Sequence, residues 1–118
     1  MMKYALLVFA GTETHEGLGR LVNALEIARE FHEAGDEAVL VFDGAGTQGL
    51  AELSKPEHKA HGLLESARGQ IRGACSYCAN AFGVKSQLQE AGFPLLADYK
   101  NHPSVHALAR DGYTLMTL

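Results

Sequence analysis

The chain has no tryptophan, three prolines, two cysteines and no stretch in which basic residues gather. Each shortage excludes something. With a net charge of −4 and lysine and arginine scattered among the acids, there is no basic tract of the kind that tracks a phosphate backbone, so direct nucleic-acid binding is not expected. No apolar run approaches the ~20 residues of a membrane span. Two cysteines make no disulfide framework. None is needed, because a domain of 118 residues buries roughly 65% of its unfolded surface and holds a core without staples. No dinucleotide-binding glycine fingerprint, Walker lysine motif, internal repeat or linker is present, so residues 1–118 are read as one domain.

What is present is a run of buried-strand patterns separated by helical ones. Tyr4 to Ala10 is nearly all apolar, the pattern of a strand covered on both faces of a parallel sheet. It is too short for the core of a signal peptide, so the cytoplasm, where thiols stay reduced, is the expected compartment. From Leu18 the apolar residues recur at helical spacing through Leu21, Val22, Leu25, Ala28 and Phe31. Gly35 then stands where a helix-ending glycine belongs. Ala38–Phe42 is a second buried strand, which completes a β-α-β unit and predicts parallel pairing. Thr47–Leu53 reads as a short helix, and Pro56 is expected to open a longer one running to about Arg68. Residues 70–74 form a weaker strand leading to Cys75, with Ser76 as the expected N-cap of the next helix. Lys85–Ala91 is a short helix, and residues 93–97 an edge strand or extended connection. Asn101-His102-Pro103 is a helix-start signal, and the chain ends in a strand from Tyr113. The fold class is α/β, with four or five largely parallel strands and helices on both faces.

Ligands of open parallel sheets bind beyond the carboxyl ends of the strands. Three loops should meet there: Gly11–Gly17, Asp43–Gly49 and Cys75–Cys78. Cys75 follows a strand and precedes a helix, where helix amides favour thiolate over thiol, and Cys78 lies one turn on. These two cysteines are the candidate catalytic residues. Backbone amides of the 76–78 turn, at Ser76 and Tyr77, are expected to stabilise a sulfur anion. His15 and Asp43, with Glu13 beside them, are rim residues placed to assist. The pair also suits a dithiol redox protein, and two packed cysteines in a non-catalytic ligand-binding or assembly module are a further alternative. His58/His61 and His102/His106 each present two rings on a helical face, but their separation from the cysteines matches no compact zinc motif, and no metal is expected. Thr12-Glu13-Thr14-His15 only loosely follows a flavodoxin phosphate loop, and no cofactor is expected.

The frame Ala74-Cys75, with Gly83-Val84 eight residues on, resembles the DsrE/DsrF-like family, which includes TusD-type sulfur-relay proteins. The Phe42-Asp43-Gly44 strand end and the closing Gly112-Tyr113-Thr114-Leu115 strand fit the same pattern. The resemblance implies a three-layer α-β-α sandwich and assembly into homo- or hetero-oligomers such as a trimer or hexamer. It also implies a sulfurtransferase-like role in which Cys75 carries sulfane sulfur as a persulfide between a donor and an acceptor protein. Cys78 departs from that pattern. A second thiol so close can attack the persulfide, release sulfide and leave a disulfide.

Overall fold

Two apolar runs, Tyr4–Ala10 and Ala38–Phe42, supply two of the three inner strands of one sheet. In the computed structural model, which describes all 118 residues, β1 (Lys3–Val8), β2 (Glu37–Phe42), β3 (Ile71–Cys75), β4 (Leu95–Leu96) and β5 (Thr114–Thr117) pair entirely in parallel. Their order is β4-β3-β2-β1-β5. Six helices connect them: α1 (His15–Glu33), α2 (Ala45–Leu53), α3 (His61–Ser66), α4 (Ser76–Ala81), α5 (Lys85–Glu90) and α6 (Val105–Arg110). Alternation along the strands divides the core in two. Leu6, Val8, Leu40, Phe42 and Ala74 face one way and pack with Leu21, Leu25, Leu50, Leu64 and Leu88 from α1, α2, α3 and α5. Ala5, Leu7 and Val41 face the other way and pack with Leu108 of α6 and Tyr113. The result is a three-layer α/β sandwich with one heavily and one lightly covered face. None of the helices is long and apolar enough to cross a membrane.

Two glycines allow backbone to approach where a side chain would not fit. A Cβ on Gly46 would lie 2.0 Å from the carbonyl oxygen of Val8, so only glycine lets the first turn of α2 close over the end of β1. Gly73 follows a register irregularity between β2 and β3 and has φ +155°; a Cβ there would stand 2.5 Å from the carbonyl oxygen of Pro94. That close approach brings β4 alongside β3, with the Ala74 amide donating to the same Pro94 oxygen at 3.0 Å.

Three local expectations are corrected. Pro56 does not open a long helix: residues 55–60 form successive turns, and α3 begins only at His61. The imidazole Nδ1 of His58 accepts from the Ala60 amide at 3.0 Å, and this local bond competes with helix propagation. Asn101-His102-Pro103 does not start α6, whose N-cap is Ser104, with its hydroxyl accepting from the Ala107 amide. Ser76 is not the cap of α4; Cys75 occupies that position, its sulfur accepting from the Cys78 amide.

At the amino ends of the strands, far from the cysteines in chain topology, Tyr113 donates its phenol to the Glu37 carboxylate and accepts from Arg72 at 3.1 Å. Lys3 and Arg72 also lie over its ring, at 4.4 and 5.2 Å from the centroid. The bond to Glu37 pushes the phenol above its ordinary value of about 10, since ionisation would give up the donated proton, and burial adds to the rise. The stabilisation from this raised value is therefore complete below pH ~10 and is lost as pH rises through the folded-state value. Tyr113→Phe should lower stability at neutral pH by about 1–2 kcal/mol. It should also flatten the alkaline decline of the urea midpoint. An unchanged slope above pH ~10 would show that Tyr113 does not set it.

Candidate functional site

Asp43, Cys75, Cys78 and His102 come together at the carboxyl rim of the sheet, their candidate ligand atoms all within 4.8 Å of one another. Three separate loops deliver them, and each is held by backbone bonds. Asp43 directly follows β2. Its amide donates to the Val8 carbonyl at 2.9 Å, and its Oδ1 accepts from the Gly44 amide at 2.8 Å, so both its position and its rotamer are fixed. Cys75 is the last residue of β3 and pairs across the sheet with Leu96 of β4. Leu96 packs with the core on the α6 side, so Cys75 shares that face. Cys78 follows on the first turn of α4.

His102 arrives by a different route. Tyr99 and His102 form an antiparallel bridge, each amide donating to the other's carbonyl at 2.8 and 2.7 Å. Between them Lys100 and Asn101 both have positive φ, +47° and +67°, the conformation of a type I′ turn. Asparagine tolerates it. Lysine does so at a cost of about 1–2 kcal/mol. The turn is tied to α4, where the Tyr77 amide donates to the Asn101 carbonyl at 2.9 Å. The rings of Tyr77 and His102 lie against each other with centroids 4.8 Å apart. His102 is therefore braced on two sides.

Within the cluster the contacts run in pairs. Cys75 Sγ lies 3.2 Å from His102 Nδ1 and accepts from the Cys78 amide at 3.4 Å. The Cys78 thiol donates to Asp43 Oδ1 at 3.3 Å. Cys75 has no accessible surface, while Cys78 is half-buried and forms the outer side of the pair. The expectation of a lowered thiol value at Cys75 is overturned. Burial pushes it up to about 12, a direction that the Cys78 amide opposes and that the Cys78 thiol and the Asp43 charge reinforce. A six-residue helix with one amide reaching the sulfur does not offset removal from water. At rest, Cys75 is a neutral thiol facing an imidazole.

Among the residues singled out from the sequence, Cys75, Cys78 and Asp43 meet. Tyr77 takes part by bracing His102 and lies 54% exposed over it. Ser76 is buried beneath the first turn of α4. His15 stays exposed on the first turn of α1, outside the cluster, as does Glu13. Spacing pairs His102 with His106, but His102 turns to Cys75 while His106 stays on α6 outside the group. The Gly11–Gly17 loop belongs to the same rim but attaches to α2, with Thr12 and Gln48 exchanging bonds of 2.9 and 2.8 Å.

Comparison with known proteins adds the fold's company and no activity. No family model matches the chain. It is 25% identical, over 99% of its own length and 96% of the other's, to a protein of Methanocaldococcus jannaschii described as uncharacterized, MJ0733. A solved structure of the conserved protein of unknown function BT1422 from Bacteroides thetaiotaomicron superposes with a TM-score of 0.65. It covers 97% of this chain and 94% of that one at 14% identity, which is a likeness of fold.

Proposed function

We propose that this protein handles sulfane sulfur, accepting it on Cys75 from a donor persulfide and passing it to the thiol of an acceptor protein in a reducing cytoplasm. The observation that carries this reading is the 3.2 Å approach of Cys75 Sγ to His102 Nδ1. A thiol held neutral by burial needs a proton acceptor at the moment of attack, and a neighbouring imidazole is the usual one. His102 takes the Cys75 proton, and the thiolate attacks the terminal sulfur of the donor persulfide. A new sulfur–sulfur bond forms at Cys75, the donor's own bond breaks, and the donor leaves as a thiolate that regains the proton from the imidazolium. Electrons balance without an external oxidant. Delivery is the same exchange in reverse on the acceptor.

The Cys78 amide, already on Cys75 Sγ, stabilises the sulfur anion. Asp43 holds the Cys78 thiol by its hydrogen bond and so keeps the second sulfur oriented. Because Cys75 is covered, the donor sulfur reaches the pair from the Cys78 side. The resemblance of the Cys75–Val84 frame to the DsrE/DsrF-like family supports the same reading and brings oligomeric assembly with it. Phe9, Tyr77 and Tyr99 are exposed aromatic side chains beyond the strand ends, suited to a protein partner at this rim.

A second reading is favoured by the closeness of the two sulfurs. Attack of Cys78 on Cys75 Sγ would expel hydrosulfide and leave a Cys75–Cys78 disulfide, the dithiol's two electrons reducing the sulfane sulfur. Inorganic polysulfide is the probe that separates the two. In a Cys78→Ala chain, Cys75 should gain one sulfur atom by mass spectrometry and keep it after the donor is removed. No added sulfur at Cys75 in that chain would refute both readings. Hydrosulfide release with disulfide formation in the unsubstituted chain selects the second.

A further inference from the structure

We propose that Asp43, Cys75, Cys78 and His102 also form a closed four-ligand site for a zinc ion. The donor set is two sulfurs, one imidazole nitrogen and one carboxylate oxygen, a combination that suits a borderline-soft divalent ion preferring four-coordinate tetrahedral geometry. The atoms are already gathered. Zinc bonds of about 2.0–2.3 Å place tetrahedral neighbours about 3.3–3.8 Å apart, with a sulfur and a nitrogen or oxygen at about 3.5 Å. The two contacts fixed here, Cys75 Sγ to His102 Nδ1 and Cys78 Sγ to Asp43 Oδ1, are 3.2 and 3.3 Å, and all four atoms lie within 4.8 Å. Spreading these two contacts by a few tenths of an ångström and drawing in the wider separations by up to about 1 Å admits the ion.

The hydrogen bonds in the cluster are the ones a metal would replace. The Cys78 thiol hydrogen points at the Asp43 oxygen with which its sulfur would share zinc, and Cys75 Sγ lies beside His102 Nδ1; on binding, both thiol protons leave to solvent. The resulting two thiolates, carboxylate and neutral imidazole carry three negative charges, which the ion reduces to one. No lysine or arginine does this instead, since Asp43 takes part in none of the ion pairs of the protein.

The outer supports expected around a metal site are also in place. The Gly44 amide orients Asp43, the Cys78 amide reaches Cys75 Sγ, and Tyr77 packs on the His102 ring. The strained turn at Lys100 and Asn101 gives His102 its direction toward the sulfurs. This arrangement uses the same side chains as the sulfur reading without depending on it. Where both hold, zinc and sulfane sulfur compete for Cys75, and metal occupancy switches uptake off.

The test is titration of reduced, untagged protein with Zn2+ alone, and with Co2+ alone as a spectroscopic probe. One ion per chain should bind. Co2+ should show sulfur-to-metal charge transfer and the intense visible bands of a tetrahedral site. Affinity should fall at least tenfold in Asp43→Asn and His102→Ala, and at least 100-fold in Cys75→Ser, with far-UV circular dichroism confirming that each variant is folded. Zn2+ should protect both thiols from alkylation. Absence of one-to-one binding by the unsubstituted chain would overturn the proposal. So would binding that Asp43→Asn and His102→Ala leave unchanged, which would mean a dithiol clip only. The metal titration contains no sulfur donor and the polysulfide assay contains chelator, so failure of either leaves the other standing.

Discussion

His102→Ala should slow sulfur uptake at Cys75 about 100-fold or more while leaving the fold intact. The size follows from what the imidazole does. Burial pushes the Cys75 thiol well above the ordinary cysteine range, so at neutral pH it stays protonated without help. A positioned general base typically contributes 10²–10⁴-fold. His102 sits on a turn and belongs to neither apolar cluster, so the substitution removes no member of the core. The measurement is the rate of polysulfide-dependent mass gain in a Cys78→Ala background with chelator present, for chains with and without His102→Ala. Free imidazole should restore part of the lost rate in the His102→Ala chain, a rescue that a purely structural role would not produce. Equal rates with and without His102 would remove it from the chemistry.

A second large effect is expected at Gly46, where one added methyl group should destabilise the protein by about 3 kcal/mol or more. The new carbon would stand 2.0 Å from the Val8 carbonyl oxygen and 2.9 Å from its carbon. Both are backbone atoms of a fully paired strand, so neither can swing aside as a flexible side chain would. Either α2 lifts from the sheet, exposing Leu50 and Leu53, or the end of β1 distorts. The Val8 oxygen also accepts the Asp43 amide, so the same clash pulls the carboxylate away from Cys78. Gly46→Ala should therefore lower the urea midpoint and weaken metal affinity together. Gly62→Ala is the control: no atom lies within 4 Å of the added carbon. A Gly46→Ala chain as stable as the Gly62→Ala chain would show that α2 can retreat freely.

Much of the fold was legible because its strands are buried on both faces. Leu6, Val8, Leu40 and Phe42 supply one core and Ala5, Leu7 and Val41 the other, which is why the runs read as continuous apolar segments. The expected meeting of the Asp43 and Cys75 loops followed from the same parallel topology. What was not legible depended on local bonds or on burial. Nothing periodic marks Tyr99–His102 as a turn, and its centre is Lys-Asn where a type I′ turn usually announces itself with glycine. His102 therefore looked like a helix-start residue paired with His106. The value at Cys75 went the other way because a dipole argument contains no account of desolvation, the larger effect here. Ser76 is the residue type that ordinarily caps a helix, but the strand runs one residue further and the cap falls on sulfur.

The arrival of His102 on its own turn has a consequence for the growing chain. During synthesis the two thiols leave the ribosome before the histidine, and before β4, the strand that pairs alongside Cys75. Until then they are ordinary cysteines with neither proton partner nor cover. Uncovered thiols ionise more readily than a buried one, so an incomplete or misfolded copy exposes both sulfurs to oxidation and disulfide exchange that the finished fold restrains.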